Sequence, residues 1–217
     1  VSTLGAQNAP AKDLSLRQRL KRVIDVIKGI SVGYGGNDAL IQVLLAAGEK
    51  LTPRMLVALN RTYDLMAMIK RDKAVVGLLP SNYITKAIAQ DDRQMVKLLL
   101  DSGVKANAEI DKGTNALSFA VMDRRYEIAQ LLVQRGASVN TSTFRGKSKV
   151  PLVDYVVPSE DIRFLRLLLR AGAKPNVTND SDTTPLHRAA VLANPEPLRL
   201  LLKHGAKVNA TGELGMT

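Results

Sequence analysis

Glycine recurs along this chain at Gly103, Gly136, Gly172 and Gly205, at nearly even spacing. An apolar position keeps the same beat at Ile84, Leu117, Leu152 and Leu186. The last copy is the fullest. It reads Thr184-Pro185-Leu186-His187-Arg188-Ala189-Ala190, then an apolar run at Leu198, Leu200, Leu201 and Leu202, then Gly205-Ala206 and Asn209. A period of about 33 residues carrying two helical segments per copy points to a repeat solenoid, whose units bury their apolar faces against each other. Such folds offer extended surfaces, so a binding role is expected before a catalytic one.

Each residue of the unit has a physical task. Thr184 suits the N-cap, where its hydroxyl satisfies a free amide of the first turn. Pro185 suits the first helical position, where a missing N–H costs nothing. Leu186, Ala189 and Ala190 are expected to face the neighbouring unit. Gly205 follows the second helix, where a left-handed residue ends it. Asn209 suits a turn, bonding nearby backbone. The other copies depart from this layout. Asn115 replaces the threonine and can still cap, and Ala116 replaces the proline. The next copy keeps Pro151-Leu152 but has Val150 and Val153 where Thr and His are expected, which weakens its cap. It also carries a lengthened loop, Thr141 to Lys149, and Pro158-Ser159-Glu160-Asp161 between its helices. The copy at Ile84 keeps Ala87, Leu98 to Leu100, Gly103 and Asn107 but lacks Thr-Pro-Leu-His.

On these residues the chain resembles the ankyrin repeat family, with its Gly-x-Thr-Pro-Leu-His-x-Ala-Ala pattern, leucine-rich second helix and Gly-Ala…Asn ending. The resemblance implies an all-α solenoid of stacked antiparallel helix pairs with an N-terminal helical cap. The expected divisions are a flexible lead-in over 1–13, divergent helix pairs or cap over 14–81, and repeats over 82–110, 111–145, 146–178 and 179–212. Gly215-Met216-Thr217 restarts the motif, with Thr217 following Thr184 at the same interval as Gly205 follows Gly172. So 213–217 reads as the start of a further repeat and the chain as a fragment of a longer protein.

In the N-terminal third, Leu16, Leu20, Val23, Ile24, Ile27 and Ile30 fall on one helical face, with Arg17, Arg19, Lys21, Arg22 and Lys28 over much of the rest. A solvated capping helix is the expectation; a basic helix lying on a membrane is the sharper alternative. Gly33-Tyr34-Gly35-Gly36 breaks it, and lacks the Gly-Lys-Ser/Thr ending of a phosphate loop. Asn37 or Asp38 can cap a second helix through Ala47. Thr52-Pro53 opens a third helix through Asn60, and Asp64 to Lys70 forms its partner. Six helix pairs are expected in all.

The chemistry of catalysis has few parts here. With no cysteine, disulfides and cysteine-bound zinc are excluded. The two histidines both have structural explanations: His187 can bond back to Thr184, and His204 stands at a helix end where positive charge suits the dipole. No cofactor and no metal are expected. No run is long and apolar enough for a membrane span, and no signal peptide is visible. A soluble chain is expected, and a secreted, periplasmic or cytoplasmic setting each fits. The net charge of +11 is spread along the chain, with its densest local cluster at Arg145, Lys147 and Lys149.

The ankyrin resemblance implies binding through the inner helices and loop tips. The repeat register places Lys86 and Gln90; Phe119, Met122 and Asp123; Asp154 and Val157; and Arg188, Val191 and Leu192 toward the groove. Among these, Phe119, Met122, Val157, Val191 and Leu192 form an expected apolar column, and Phe144 with Arg145 is the expected loop-tip contact. The reading is a non-enzymatic protein–protein interaction module whose partner is another protein, acidic in character given the charge. No small-molecule substrate is evident, and nucleic acid and membrane are not the expected partners. The divergent repeats and missing cysteine suggest a bacterial protein, part of a secreted effector. Two other readings stand beside this: a polyanion-binding surface, which predicts steep salt dependence, and the targeting half of an enzyme whose catalytic domain lies outside this chain.

Overall fold

A computed structural model describes residues 50–108, 110, 114–145 and 148–210. The expected lead-in, the amphipathic helix of 16–30, the helix ending at Ala47 and the restarted motif of 213–217 lie outside the described residues, as do Lys147 and the side chain of Arg145. The chain divides into two compact units, Val1–Arg71 and Asp72–Thr217.

The first unit contributes one described helix pair, α1 (Pro53–Ala58) and α2 (Thr62–Arg71). Thr52 caps α1 by accepting from the Met55 amide at 3.3 Å, and Pro53 occupies its first turn. Asp64 in the first turn of α2 and Lys70 and Arg71 in its last match the helix dipole at both ends. Leu56, Leu65 and Ile69 are buried.

The second unit opens with a 3-10 turn, Lys73–Leu78, that the sequence pattern does not announce; Asp72 caps it by accepting from the Ala74 amide. Four helix pairs follow: α3 (Tyr83–Ala89) with α4 (Arg93–Asp101), α5 (Ala116–Met122) with α6 (Tyr126–Gln134), α7 (Leu152–Val156) with α8 (Ile162–Arg170), and α9 (Pro185–Ala190) with α10 (Glu196–Lys203). First helices pack on first helices and second on second, α3 on α5 and α8 on α10 among them. The core of this stack is built from the repeating apolar positions, including Ile88, Met95, Leu117, Leu132, Leu152 and Leu165, all essentially inaccessible. An edge-to-face pair, Tyr126 on Phe164 at 5.4 Å between centroids, joins α6 to α8, and the Arg163 guanidinium lies 4.5 Å over the Tyr126 ring.

The local start and stop signals act as the residues foretell. Thr184 Oγ1 accepts from the His187 amide, while His187 Nδ1 accepts from the Thr184 amide at 3.1 Å, a reciprocal cap on α9. Asn115 caps α5 through the Ser118 amide, and Asp92 and Asp161 cap α4 and α8. Gly136 and Gly205 adopt φ of 80° and 88°. At the first of these, the Ala137 amide reaches back to the Leu132 carbonyl at 2.9 Å, satisfying a carbonyl the helix end leaves free.

Two features differ from expectation. The segment 141–149, read as a long loop, folds into a hairpin: β1 (Ser142–Arg145) pairs antiparallel with β2 (Ser148–Pro151), with Phe144 opposite Lys149 and Thr143 opposite Val150. Thr143, Phe144 and Val150 favour extended backbone. The hairpin also compensates for the poor cap of α7. No side chain caps that helix, but its first amide, Leu152 N, donates to the Thr141 carbonyl at 2.9 Å. The second difference concerns the turn asparagines, expected to bond local backbone. They bond the next repeat instead. Asn140 Nδ2 donates to the Gly172 carbonyl and Asn140 Oδ1 accepts from the Lys174 amide at 2.9 Å. Asn176 treats Gly205 and Lys207 the same way, at 3.0 and 2.8 Å, and Asn107 treats Gly136 and Ser138 likewise. Gly136, Gly172 and Gly205 thus end second helices and also anchor the preceding repeat.

Candidate binding surface

The residues the repeat register aims toward the groove separate into three environments. Met122, at the end of α5, is 39% exposed, and Phe119 one turn earlier is half-buried. Thr143 Oγ1 touches the Met122 sulfur, so the hairpin lies against this helix end. Phe144 joins Met122 in lining a depression of about 410 Å³, together with Val121, Arg124, Tyr155, Val156, Pro158, Ser159 and Phe164. Arg124 holds a left-handed φ of 57° in the tight turn from α5 to α6, directly after the exposed Asp123. Met, Phe and Arg about one concavity are the side chains that interfaces favour.

The second environment overturns the expected exposure of Asp154 and Val157. Both are 0% exposed. Asp154 Oδ1 accepts from Arg188 Nε at 2.7 Å and Oδ2 from Arg188 Nη2 at 2.9 Å, and Asn179 Nδ2 donates to the same carboxylate at 3.3 Å. A carboxylate removed from water needs its lone pairs filled, and this bidentate pair joining α7 to α9 fills them. Arg188 is committed to it. Val157 continues the helical backbone of α7 into the core. The apolar column is therefore interrupted in its middle. The hairpin packs on α7, and the groups that enclose Asp154 come from the following repeat, which the register of a single repeat does not reveal.

The third environment is the face of α9 and α10. Val191 is 83% exposed and Leu192 is half-buried. Leu186, Val191, Leu198, Leu202 and Val208 line a mainly apolar depression of about 690 Å³. At the other end of the unit, Lys86 is half-buried and Gln90 is exposed at the C-terminus of α3. The structure thus gathers Met122 and Phe144, pairs Asp154 with Arg188, and leaves Val191 apart.

Charge outside these places follows a pattern the sequence reading missed. Asp101 accepts from Lys97 at 2.7 Å and pairs with Arg135 at 2.5 Å. The hydrogen bond from Lys97, with Arg135 beside it, holds its carboxyl below the ordinary range. Asp161 is held low in the same way by Arg163, at 2.8 Å. Between α8 and α10 the balance changes. Arg166, Arg170, Arg199, Lys203 and His204 surround a depression of about 490 Å³ with one carboxylate, Glu196. The four cations at matching repeat positions form two i, i+4 pairs one repeat apart, a pattern less conspicuous in sequence than the closer-set Arg145, Lys147 and Lys149. Among the described residues no cluster of three or more His, Cys, Asp or Glu could hold a metal ion, and no helix is long and apolar enough to cross a membrane.

Comparison with known proteins agrees with this architecture. A family model of three ankyrin repeats matches residues 30–143, and a single-repeat model matches residues 181–213. An ankyrin repeat protein of fowlpox virus is 28% identical over 52% of this chain and 15% of its own length. The ankyrin repeat, SAM and basic leucine zipper domain-containing protein 1 of Dasypus novemcinctus is 29% identical over 58% of this chain and 28% of its own. An ankyrin repeat-containing protein of Treponema pallidum is 34% identical over 42% and 30%. The matched region spans less than a third of the length of each of these relatives.

Proposed function

The chain belongs to the ankyrin repeat family, and from that premise we propose that it is a non-enzymatic module that binds another protein through the depression between α5, the hairpin and α7. Repeat arrays of this kind generally mediate protein–protein interaction. The observation that carries the finer reading is the convergence of exposed Met122 with Phe144 and Arg124 on one concavity. Aromatic and arginine anchors seated in pockets supply most of the energy at protein interfaces. A net charge of +11 favours an acidic partner and speeds encounter with it.

The test is affinity capture with wild type beside a Met122→Ala/Phe144→Ala variant, with nuclease present and salt varied. A protein held by wild type at moderate salt and lost by the variant is the expected result. Material that is nuclease-sensitive, salt-sensitive and held equally by both would instead favour the polyanion reading.

A further inference from the structure

The basic depression between α8 and α10 has no part in the reading above, and its origin lies in the repeat register. Counting back from each terminal glycine, the positions of Arg166 and Arg170 in the third repeat are Arg199 and Lys203 in the fourth, Gln130 and Gln134 in the second, and Lys97 and Asp101 in the first. In the first repeat the charges cancel within the helix, by the Lys97–Asp101 pair. In the second they are absent. In the third and fourth they are all positive, on two helices that pack together.

Like charges at the same register of adjacent repeats repel each other, and little here relieves it. Arg166 reaches Glu196 at 3.3 Å. Arg170, Arg199 and Lys203 are exposed and pair with no carboxylate among the described residues. Elsewhere in this unit Arg125, Arg135, Arg163 and Arg188 each have an acidic neighbour. His204 adds a further nitrogen-bearing ring at the rim, its Nδ1 donating to the Leu200 carbonyl at 2.8 Å.

We propose that this face, on the second helices rather than the first, docks an acidic helical segment of a partner protein. The spacing sets the form of the ligand. Cations four residues apart on one helix are about 6 Å apart along its axis, and packed helices lie roughly 8–10 Å apart. That makes a two-by-two array of positive heads. Carboxylates four residues apart on an acidic helix have the same axial spacing, so each can meet one rung of the array. Leu200 in the same depression offers apolar surface to the side-chain stems between them. Arginine forks match carboxylates bidentately. Among the described residues no Phe, Tyr or Trp lines the depression, so it offers no stacking platform of the kind single-stranded nucleic acid uses, and the Glu196 carboxylate beside Arg166 is unfavourable to a continuous phosphate backbone. The inference adds a second surface to the protein-binding reading and rests on that reading for the class of partner.

The probe is a labelled helical peptide of about 20 residues, long enough to hold helix in isolation, with glutamate at every fourth position and a glutamine analogue as its control. Fluorescence anisotropy against the full chain should show saturable binding of the glutamate peptide and none of the analogue. Arg170→Gln/Lys203→Gln should weaken it by about tenfold, whereas Lys105→Gln/Lys174→Gln, which removes the same charge elsewhere, should weaken it by less than about twofold. All four positions are exposed, and unchanged circular dichroism would show that both variants fold. Equal losses in the two double variants would overturn the proposal, since affinity would then follow net charge alone. So would displacement of the peptide, at lower concentration and with the same variant dependence, by an oligothymidylate or by phosphatidylserine vesicles. Absence of peptide binding, in a chain whose captured partner still depends on Met122 and Phe144, would sink this site and leave the wider reading standing.

Discussion

The helix pairs α7–α8 and α9–α10 are neighbours with opposite strengths. The later one keeps the full consensus: its first helix starts on the reciprocal Thr184–His187 cap with Pro185 in place. The earlier one has lost that cap, yet it is the better buried. Its helix α7 begins on the hairpin's Thr141 carbonyl, its Asp154 is enclosed and bridged to Arg188, and Leu169 is 3% exposed where the equivalent Leu202 is 39% exposed. Agreement with a repeat consensus therefore reports how a helix starts and stops. How far a unit is covered depends on what the array lays against it, and these two repeats show the two properties varying independently.

The comparison can be broken most sharply at the ion pair that joins the two repeats. Arg188→Ala leaves the enclosed Asp154 carboxylate without its counter-charge and should cost about 3 kcal/mol in denaturant unfolding, at the low end for a severed buried pair because Asn179 still donates to it. Asp154→Leu with Arg188→Met should recover most of that loss. A single-variant cost below about 1 kcal/mol would mean the pair behaves as a surface one. Next comes the equivalent leucine of each second helix. Leu169→Ala should cost about 3 kcal/mol through lost burial and the cavity left behind, and Leu202→Ala less than about 1 kcal/mol because water already reaches it. Equal costs would show that Leu202 is covered in solution.

The smallest effect is pH-dependent. Helix α8 starts on the ionisable Asp161, whereas the first amide of α10 donates to the neutral Asn194 side chain at 3.0 Å. The Arg163 hydrogen bond holds the Asp161 carboxyl below its ordinary value, so this group adds stability above the unfolded carboxylate pKa of about 3.9 and loses it as pH falls through the lower folded value. Asp161→Asn keeps an acceptor for the cap. It should be less stable than wild type by under about 1 kcal/mol at neutral pH, since the pair is largely in water, with the two stabilities converging below about pH 4. Parallel curves by thermal unfolding would remove Asp161 from the account.

Much of the fold was legible because each helix boundary is a local event. Thr184, Asn115, Asp161, Gly136 and Gly205 do their work within about one helical turn, and short-range patterns reveal such signals. The five helix pairs of the described residues follow from those boundaries and from the even beat of the repeat. The site was read less well. Met122, Phe144 and Val191 do carry exposed or half-exposed apolar surface, but Asp154 and Val157 were aimed outward by a register that assumes every repeat is alike. Asp154 is instead enclosed by Arg188 and Asn179, and the hairpin pairing between Ser142 and Pro151 leaves only a faint trace in so short a strand.

The chain's own residues set its repeat length, where its helices begin and end, which faces are apolar and how much charge it carries. These depend on backbone propensity and periodicity, which act between near neighbours. The stack decided the rest: which asparagine clamps which glycine of the following repeat, that one acidic side chain is enclosed against Arg188, and that four cations from two helices meet around one depression. Those outcomes depend on distances between repeats, and only packing fixes such distances.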